Sequence, residues 1–136
     1  WDFYKSAEGM RAYRARAYKL FLDDFRTNPA RYQAGELPKT TFREGEFDLT
    51  LASYLLFVYE DQLSYEFQKA SVLELARITR GEVRIYPTVT FEAEPSRTLA
   101  RMRSDPDFAA FQFELVPTDF EFLRKSNNYL RLTRRV

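Results

Sequence analysis

The amino-acid sequence predicts an α/β fold, and three observations lead to that prediction. Glu82–Pro87 alternates apolar and polar residues, which is the pattern of a strand with one buried face. Leu63–Thr79 carries apolar residues at helical spacing, and Asp61 or Ser64 is a candidate N-cap for that helix. Strand-like and helix-like segments alternate along the chain until two strands close it, which is an α/β order.

The composition limits the classes of protein to which the chain can belong. Its 136 residues suffice for one ordinary domain, and 45% apolar with 17% aromatic residues supports a folded core. There is no cysteine and no histidine, which excludes disulfides, a thiolate zinc site and the commonest general base, so we expect no metal. No apolar stretch approaches the ~20 residues that span a bilayer. We therefore expect no membrane partner, and the composition without cysteine fits a cytoplasmic location.

The amino-terminal segment predicts a helix followed by a short strand. Ser6 is a candidate N-cap, and the residues after it place apolar side chains on one helical face. Tyr18–Phe25, "YKLFLDDF", has the apolar run of a short strand that ends in two aspartates. Asn28-Pro29 then signals a turn.

The middle of the chain, "FDLTLASYLLFVYEDQLS", begins as a strand and continues as an apolar run. Phe47–Ala52 is the predicted strand, and Leu55–Tyr59 is predicted to be an apolar turn that packs beneath it. The helix Leu63–Thr79 follows, and Gly81 is predicted to close it.

The last third predicts one interrupted helix and two strands. Glu94–Phe111 is predicted to be an amphipathic helix that is broken near Asp105-Pro106. The strands are "FQFELVP" and "NNYLRLTR". No helix long enough for a crossover separates them, so we expect them to pair antiparallel.

Few residues indicate chemistry. The four glycines at 9, 35, 45 and 81 are too dispersed for a phosphate-binding loop. Acidic pairs such as Asp119 with Glu121 are more typical of turns and caps than of a Mg²⁺ site. Asp24 is the exception, because it would stand at the carboxyl end of a strand, where open α/β sheets bind ligands. Ser53-Tyr54 would stand at the same kind of place, either admitting a ligand or merely capping the next turn.

The chain resembles class I S-adenosylmethionine-dependent methyltransferases, and more closely a bacterial, largely uncharacterised subgroup of them. The resemblance is carried by "YKLFLDDF", by "NPARYQAGELPKTTFREGEFDLTLASYLLFVYEDQ" and by "LSYEFQKASVLELARITRGEVRIYP". It extends from Trp1 to Val136, and its order and spacing are more specific than any single motif. Tyr54 stands where relatives have histidine, and Ala52 where they often have cysteine.

The resemblance implies a truncated Rossmann-like methyltransferase fold over residues 1–136, a single partial domain. The sheet would be mainly parallel with an antiparallel last strand, and helices would cover both faces. Tyr18–Leu22 would be the third strand, Phe47–Ala52 the fourth and Glu82–Tyr86 the fifth, before a closing hairpin. The family's strand order is three-two-one-four-five-seven-six. The chain would therefore expose strand edges, which would allow pairing with another copy.

The resemblance also implies the site residues. Asp24 and Phe25 would border the adenine of S-adenosylmethionine, and Ser53 and Tyr54 would line the cofactor and substrate cleft. Tyr59 and Asp61 are candidates to orient an unknown methyl acceptor, and no catalytic residue is assigned. The family's glycine-rich turn and the acid after its second strand are absent. We therefore expect the chain to be a piece of a longer enzyme and to bind the cofactor poorly alone.

Two alternatives come from other classes of protein. One is a non-catalytic interaction domain that retains a methyltransferase-like fold. The other is a nucleic-acid-binding module that uses exposed arginines and tyrosines, against which stands a net charge of only +1.

Overall fold

The structure of the chain is a computed structural model, which describes residues 4–135. It consists of two compact units, Trp1–Gly35 and Glu36–Val136. Within residues 4–135, no helix combines the length and the apolar character that crossing a membrane requires.

A single long helix, α1 (Ala7–Thr27), dominates the first unit. The Ser6 side chain caps it as predicted, by accepting a hydrogen bond from the Gly9 backbone N–H at 2.9 Å. The predicted strand at Tyr18–Leu22 is wrong, because these residues lie inside α1. After Gly9 in the first turn, no glycine or proline interrupts the chain before Pro29, and extending an existing helix is cheaper than starting a new element.

The second unit is built on a four-stranded sheet. Its strands are β1 (Phe47–Ser53), β2 (Thr79–Tyr86), β3 (Phe111–Pro117) and β4 (Asn128–Arg134). They are arranged in the order β1-β2-β4-β3. β1 and β2 are parallel, and β4 is antiparallel to both β2 and β3. Three strands therefore run in one direction, and β4 runs against them.

The expectation of a mainly parallel sheet is wrong, because only one of the three neighbouring pairs is parallel. β4 lies between β2 and β3 and runs opposite to both, so each of its ladders is antiparallel. Helices on both faces of the sheet are also not found among residues 36–135. The buried residues of its helices join one core cluster with Val83, Ile85, Leu130 and Leu132, which all point to the same face.

The opposite face of this sheet is polar and accessible. Arg84 is ion-paired with Glu82, and Arg131 is ion-paired with Glu114 on the neighbouring strand. Leu51 lies on this face and is 68% exposed. The alternation of the strands thus separates an apolar covered face from a charged open one.

Two helices cover the apolar face. α2 (Tyr65–Ile78) begins at the Ser64 cap, as one of the predicted alternatives, and buries Val72 and Leu75. The predicted helix over Glu94–Phe111 is instead a short α3 (Arg97–Met102) followed by a 3₁₀ turn at Pro106–Phe108. A proline accounts for the break, since it cannot continue a helical hydrogen-bond ladder.

Helix α2 passes into β2 without a loop. Thr79 is both the last cap of the helix and the first residue of the strand. Its hydroxyl donates to the Leu75 carbonyl at 2.6 Å, so the 2.5 Å bond with the Thr50 hydroxyl must use the proton of Thr50. The prediction that Gly81 closes the helix is wrong, because Gly81 lies in β2. A Cβ there would be 2.1 Å from the Asp48 carbonyl oxygen, so only glycine permits this close approach of β1 and β2.

The segment before β1 is fastened to α2 by one carboxylate. Glu74 accepts hydrogen bonds from the Thr40 backbone N–H at 2.9 Å, from the Thr40 hydroxyl at 2.5 Å and from Arg77 Nε at 2.7 Å. Arg77 donates in turn to the Phe42 carbonyl at 2.7 Å. The hydrogen bonds from Arg77, which outweigh burial, lower the pKa of Glu74 to about 2.

Candidate functional site

The carboxyl ends of β1, β2 and β3 lie at the same edge of the sheet. These ends are Ser53, Tyr86 and Pro117, because the three strands run in the same direction. Ligands of open α/β sheets bind outside this edge. Ser53-Tyr54 therefore lies where the sequence predicts, at the end of β1 and beside the end of β2.

The chain leaves the sheet sharply at Tyr54. Tyr54 has a φ of 54°, in the left-handed region that non-glycine residues rarely adopt. Its backbone N–H donates to the Tyr86 carbonyl at 2.8 Å, which holds the turn against β2. Ser53 is exposed beside it. Such a conformation persists only where surrounding contacts fix it, and it is a feature found at functional sites.

An aromatic cluster lies at the carboxyl ends of β1 and β2. The Tyr54 ring lies 5.5 Å from the rings of both Tyr86 and Phe122, and the Tyr86 ring lies 5.6 Å from Phe120. The Tyr86 hydroxyl is 2.7 Å from the Ser126 hydroxyl, which ties the β3–β4 connection to β2. Edge-to-face aromatic pairs of this kind add to the energy of burial. The cluster makes this edge of the sheet a largely aromatic wall.

The sequence did not single out Tyr86, Phe120, Phe122 or Ser126 as parts of this cluster. The spacing "FEF" at 120–122 and the tyrosine before Pro87 were the available signals. These signals did not predict the contact between Tyr86 and residues 120–122. The two segments are distant in the sequence, and the pairing of β4 with β2 brings them together.

Tyr59 is the last residue of the apolar turn that the sequence predicts, and Asp61 follows it two residues later. Phe57 and Val58 are buried, and the Tyr59 ring contacts that of Phe91 at 5.0 Å between centroids. Asp61 accepts a hydrogen bond from Arg97 Nη2 at 2.7 Å. Asp61 is therefore held in an ion pair and helps to line a cleft of about 340 Å³ at the start of α2 and α3.

Glu60, next to Asp61, is the more buried carboxylate and fastens the start of α3. Its side chain is 2% exposed. It accepts hydrogen bonds from the Ser96 hydroxyl at 2.6 Å, from Arg97 Nε at 3.0 Å and from the Thr98 backbone N–H at 3.2 Å. Burial alone would raise the pKa of Glu60, but these hydrogen bonds outweigh it and lower the pKa. A carboxylate held in this way is a structural clamp rather than a proton-transfer group.

The prediction that Asp24 and Phe25 stand at the carboxyl end of a strand is wrong. Both residues lie in the last turns of α1. Asp24 accepts hydrogen bonds from Asn28 Nδ2 at 2.7 Å, Arg31 Nη1 at 2.9 Å and the Tyr32 hydroxyl at 2.6 Å. The hydrogen bond from Tyr32, followed by that from Asn28, lowers the pKa of Asp24. The Phe25 ring lies 5.1 Å from the Tyr32 ring. Asp24 therefore joins the end of α1 to the turn after it.

The geometry places Ser53, Tyr54, Tyr59 and Asp61 in one unit, on the chain that leaves β1. Asp24 and Phe25 belong to the other unit. Within residues 4–135, no three acidic side chains converge as a metal site would require.

The fold thus defines an α/β unit with a four-stranded mixed sheet and an aromatic wall at its carboxyl edge. No family model matches the chain. An uncharacterised protein of the archaeon Methanocaldococcus jannaschii is 32% identical over 134 residues, which are 98% of this chain and 58% of that protein. The chain therefore spans less than two thirds of this relative's length. No solved structure matches the chain.

Proposed function

We propose that the chain is part of an S-adenosylmethionine-dependent methyltransferase whose methyl acceptor is unidentified. The observation that carries the proposal is the strand order β1-β2-β4-β3 with β4 reversed. The family order that the resemblance implies ends four-five-seven-six, and the strands correspond one to one with that series. A cytoplasmic location is part of the proposal, and the lack of cysteine fits it.

The described residues suit one half of a cofactor cleft. Ser53 is small and exposed at the carboxyl edge, so a ligand can approach the backbone there. The Tyr54 turn and the Tyr86 ring form a fixed apolar wall beside it. The glycine-rich turn that would hold the amino-acid part of the cofactor is not in this sequence. In this proposal, residues outside this chain supply the remaining half of the cleft.

The cofactor supplies a methyl group on a sulfonium, which is transferred by in-line displacement. The contribution of a protein to such a step is mainly the positioning of the two reactants. Ser53 and Tyr54 would position the cofactor, and Tyr59 would border the acceptor. Asp61 is engaged by Arg97, so we give it a structural part in that wall and no proton transfer.

Calorimetry of the full-length protein with S-adenosylmethionine tests the proposal. We expect saturable binding, weakened at least tenfold by Ser53→Lys, because a long side chain would occupy the approach to the edge. Gln112→Lys is the matched control, since Gln112 is also an exposed strand residue but lies near the start of β3. Absence of binding, or equal binding by the Ser53→Lys variant, would contradict the proposal.

The open face of the sheet favours a second candidate, a non-catalytic interaction domain. Leu49 and Leu51 of the edge strand β1 are 42% and 68% exposed, beside a backbone edge with no partner strand among the described residues. Unpaired strand edges readily accept another chain. Sedimentation of the full-length protein separates the candidates: self-association that Leu51→Lys abolishes, without cofactor binding, would favour this second function.

A further inference from the structure

An apolar groove lies between α3 and the end of β3, and we call it the α3–β3 groove. Its floor is formed by the buried Val89 and Leu99, and its walls by Ala100 of α3 and Leu115 of β3. The volume is about 340 Å³, within the range of small-molecule sites. It opens at the carboxyl edge of the sheet, since Val89 follows β2 and Leu115 is near the end of β3.

The wall residues are exposed although they are apolar. Leu115 is 43% exposed, and Ala100 is also exposed, whereas the floor beneath them is closed. An apolar molecule placed here would remove both walls from water, at roughly 25 cal/mol for each Å² of apolar surface buried. The groove is therefore shaped to take the apolar part of a ligand.

A free cation stands at the rim of this groove. Arg103 lines it, and among residues 4–135 its guanidinium has no ion pair. The other two arginines of the same helix region are both engaged. Arg97 pairs with Glu60 and Asp61, and Arg101 lies 3.7 Å from Glu66 and over the Tyr65 ring.

A second cation at the rim is already matched by a carboxylate. Lys125 Nζ lies 3.3 Å from Glu94 Oε1. The rim therefore carries one positive charge in excess, at Arg103, above an apolar interior. A guanidinium presents paired donors that suit a carboxylate, sulfonate or phosphate group.

We propose that the α3–β3 groove binds an amphipathic small-molecule anion, with the apolar part against Leu99 and Leu115 and the anionic group at Arg103. This inference goes beyond the proposed methyl transfer and does not depend on it. A neutral or cationic molecule of the same shape would fill the groove but leave Arg103 without its partner.

Nuclear magnetic resonance of the isotope-labelled full-length protein, titrated with octanoate, tests this site. Octylammonium is the matched ligand, since it has the same chain length and the opposite charge. We expect saturable shifts of the amides of Val89, Ala100 and Leu115 with octanoate. We expect binding of octylammonium to be at least about tenfold weaker, as the loss of one charge-assisted hydrogen bond implies.

Two pairs of variants locate the binding. Arg103→Gln should weaken octanoate binding about tenfold, whereas Arg101→Gln, on the same helix, should leave it unchanged. Ala100→Trp should fill the groove and abolish the shifts, whereas Ala109→Trp, also at an exposed alanine, should not. All four positions are exposed, so the variants should keep the fold, which the amide spectrum itself reports.

Three results would overturn the inference. They are shifts confined to residues outside the groove, such as those of α1, equal affinity for the two ligands, and undiminished binding by the Ala100→Trp variant.

Discussion

The helices α1 and α2 have similar sequence patterns but differ in how much of their apolar surface is buried. Each begins at a serine cap and carries apolar residues at helical spacing. α2 buries six residues, among them Val72 and Leu75, whereas α1 buries none. Leu20 of α1 is 61% exposed, and its neighbours Phe21 and Phe25 are also accessible. A helical pattern thus predicts the element, but only the tertiary partner decides whether the apolar face contributes to stability.

The largest difference is expected from truncating one leucine in each helix. Leu75→Ala should lower the free energy of unfolding by about 2–5 kcal/mol, because it leaves a cavity in the core under the sheet. Leu20→Ala should change it by about 0.5 kcal/mol or less, since an exposed leucine leaves none. Urea unfolding of the two variants measures both values. Similar losses would show that α1 has a buried apolar face after all.

A smaller difference is expected from the two carboxylates that fasten neighbouring segments. Glu74→Gln should cost about 1–3 kcal/mol, because Glu74 is largely buried and accepts bonds from Thr40 and Arg77. Asp24→Asn, in the partly exposed cluster at the end of α1, should hardly move the unfolding midpoint, since water can replace its partners.

The pH dependence sharpens this prediction. The folded-state pKa of Glu74, about 2, lies below its ordinary value of 4.5. The stabilisation is therefore complete above pH 4.5 and is lost as the pH falls towards 2. Acid unfolding of the Glu74→Gln variant should lack this component. If the parent and the variant lost stability equally as the pH fell, Glu74 would not be the source of this pH dependence.

The smallest effect is expected from the two serine caps. Ser64→Ala should cost about 1 kcal/mol of global stability, because α2 is part of the core. Ser6→Ala removes an equivalent hydrogen bond to Gly9, but should only loosen the first turn of α1. Thermal unfolding measures the first effect and amide exchange near Gly9 the second. A global loss from Ser6→Ala would remove the distinction between the helices.

The difference between elements with a buried apolar face and elements without one also explains which parts of the fold the sequence could predict. Alternation located Phe111–Pro117 and Asn128–Arg134 closely, because strands with one buried face repeat every two residues. The prediction of a strand failed at Tyr18–Leu22, where the short apolar run Leu20–Leu22 fits a strand and an exposed helix equally well. Ser53-Tyr54 was placed correctly at the end of β1. Its aromatic neighbours Tyr86 and Phe122 come from distant segments, so no local pattern predicts their contact.

The joint at Thr79 has a mechanical consequence. α2 enters β2 with no loop, and the Thr79 hydroxyl is hydrogen-bonded to both the Leu75 carbonyl and the Thr50 hydroxyl, so Thr79 connects the helix directly to two strands. No hinge separates these elements, so they should open together as one cooperative foldon. We therefore expect a displacement of α2 to shift β1 and β2 with it, and these two strands end at the turn of Tyr54 and at Tyr86.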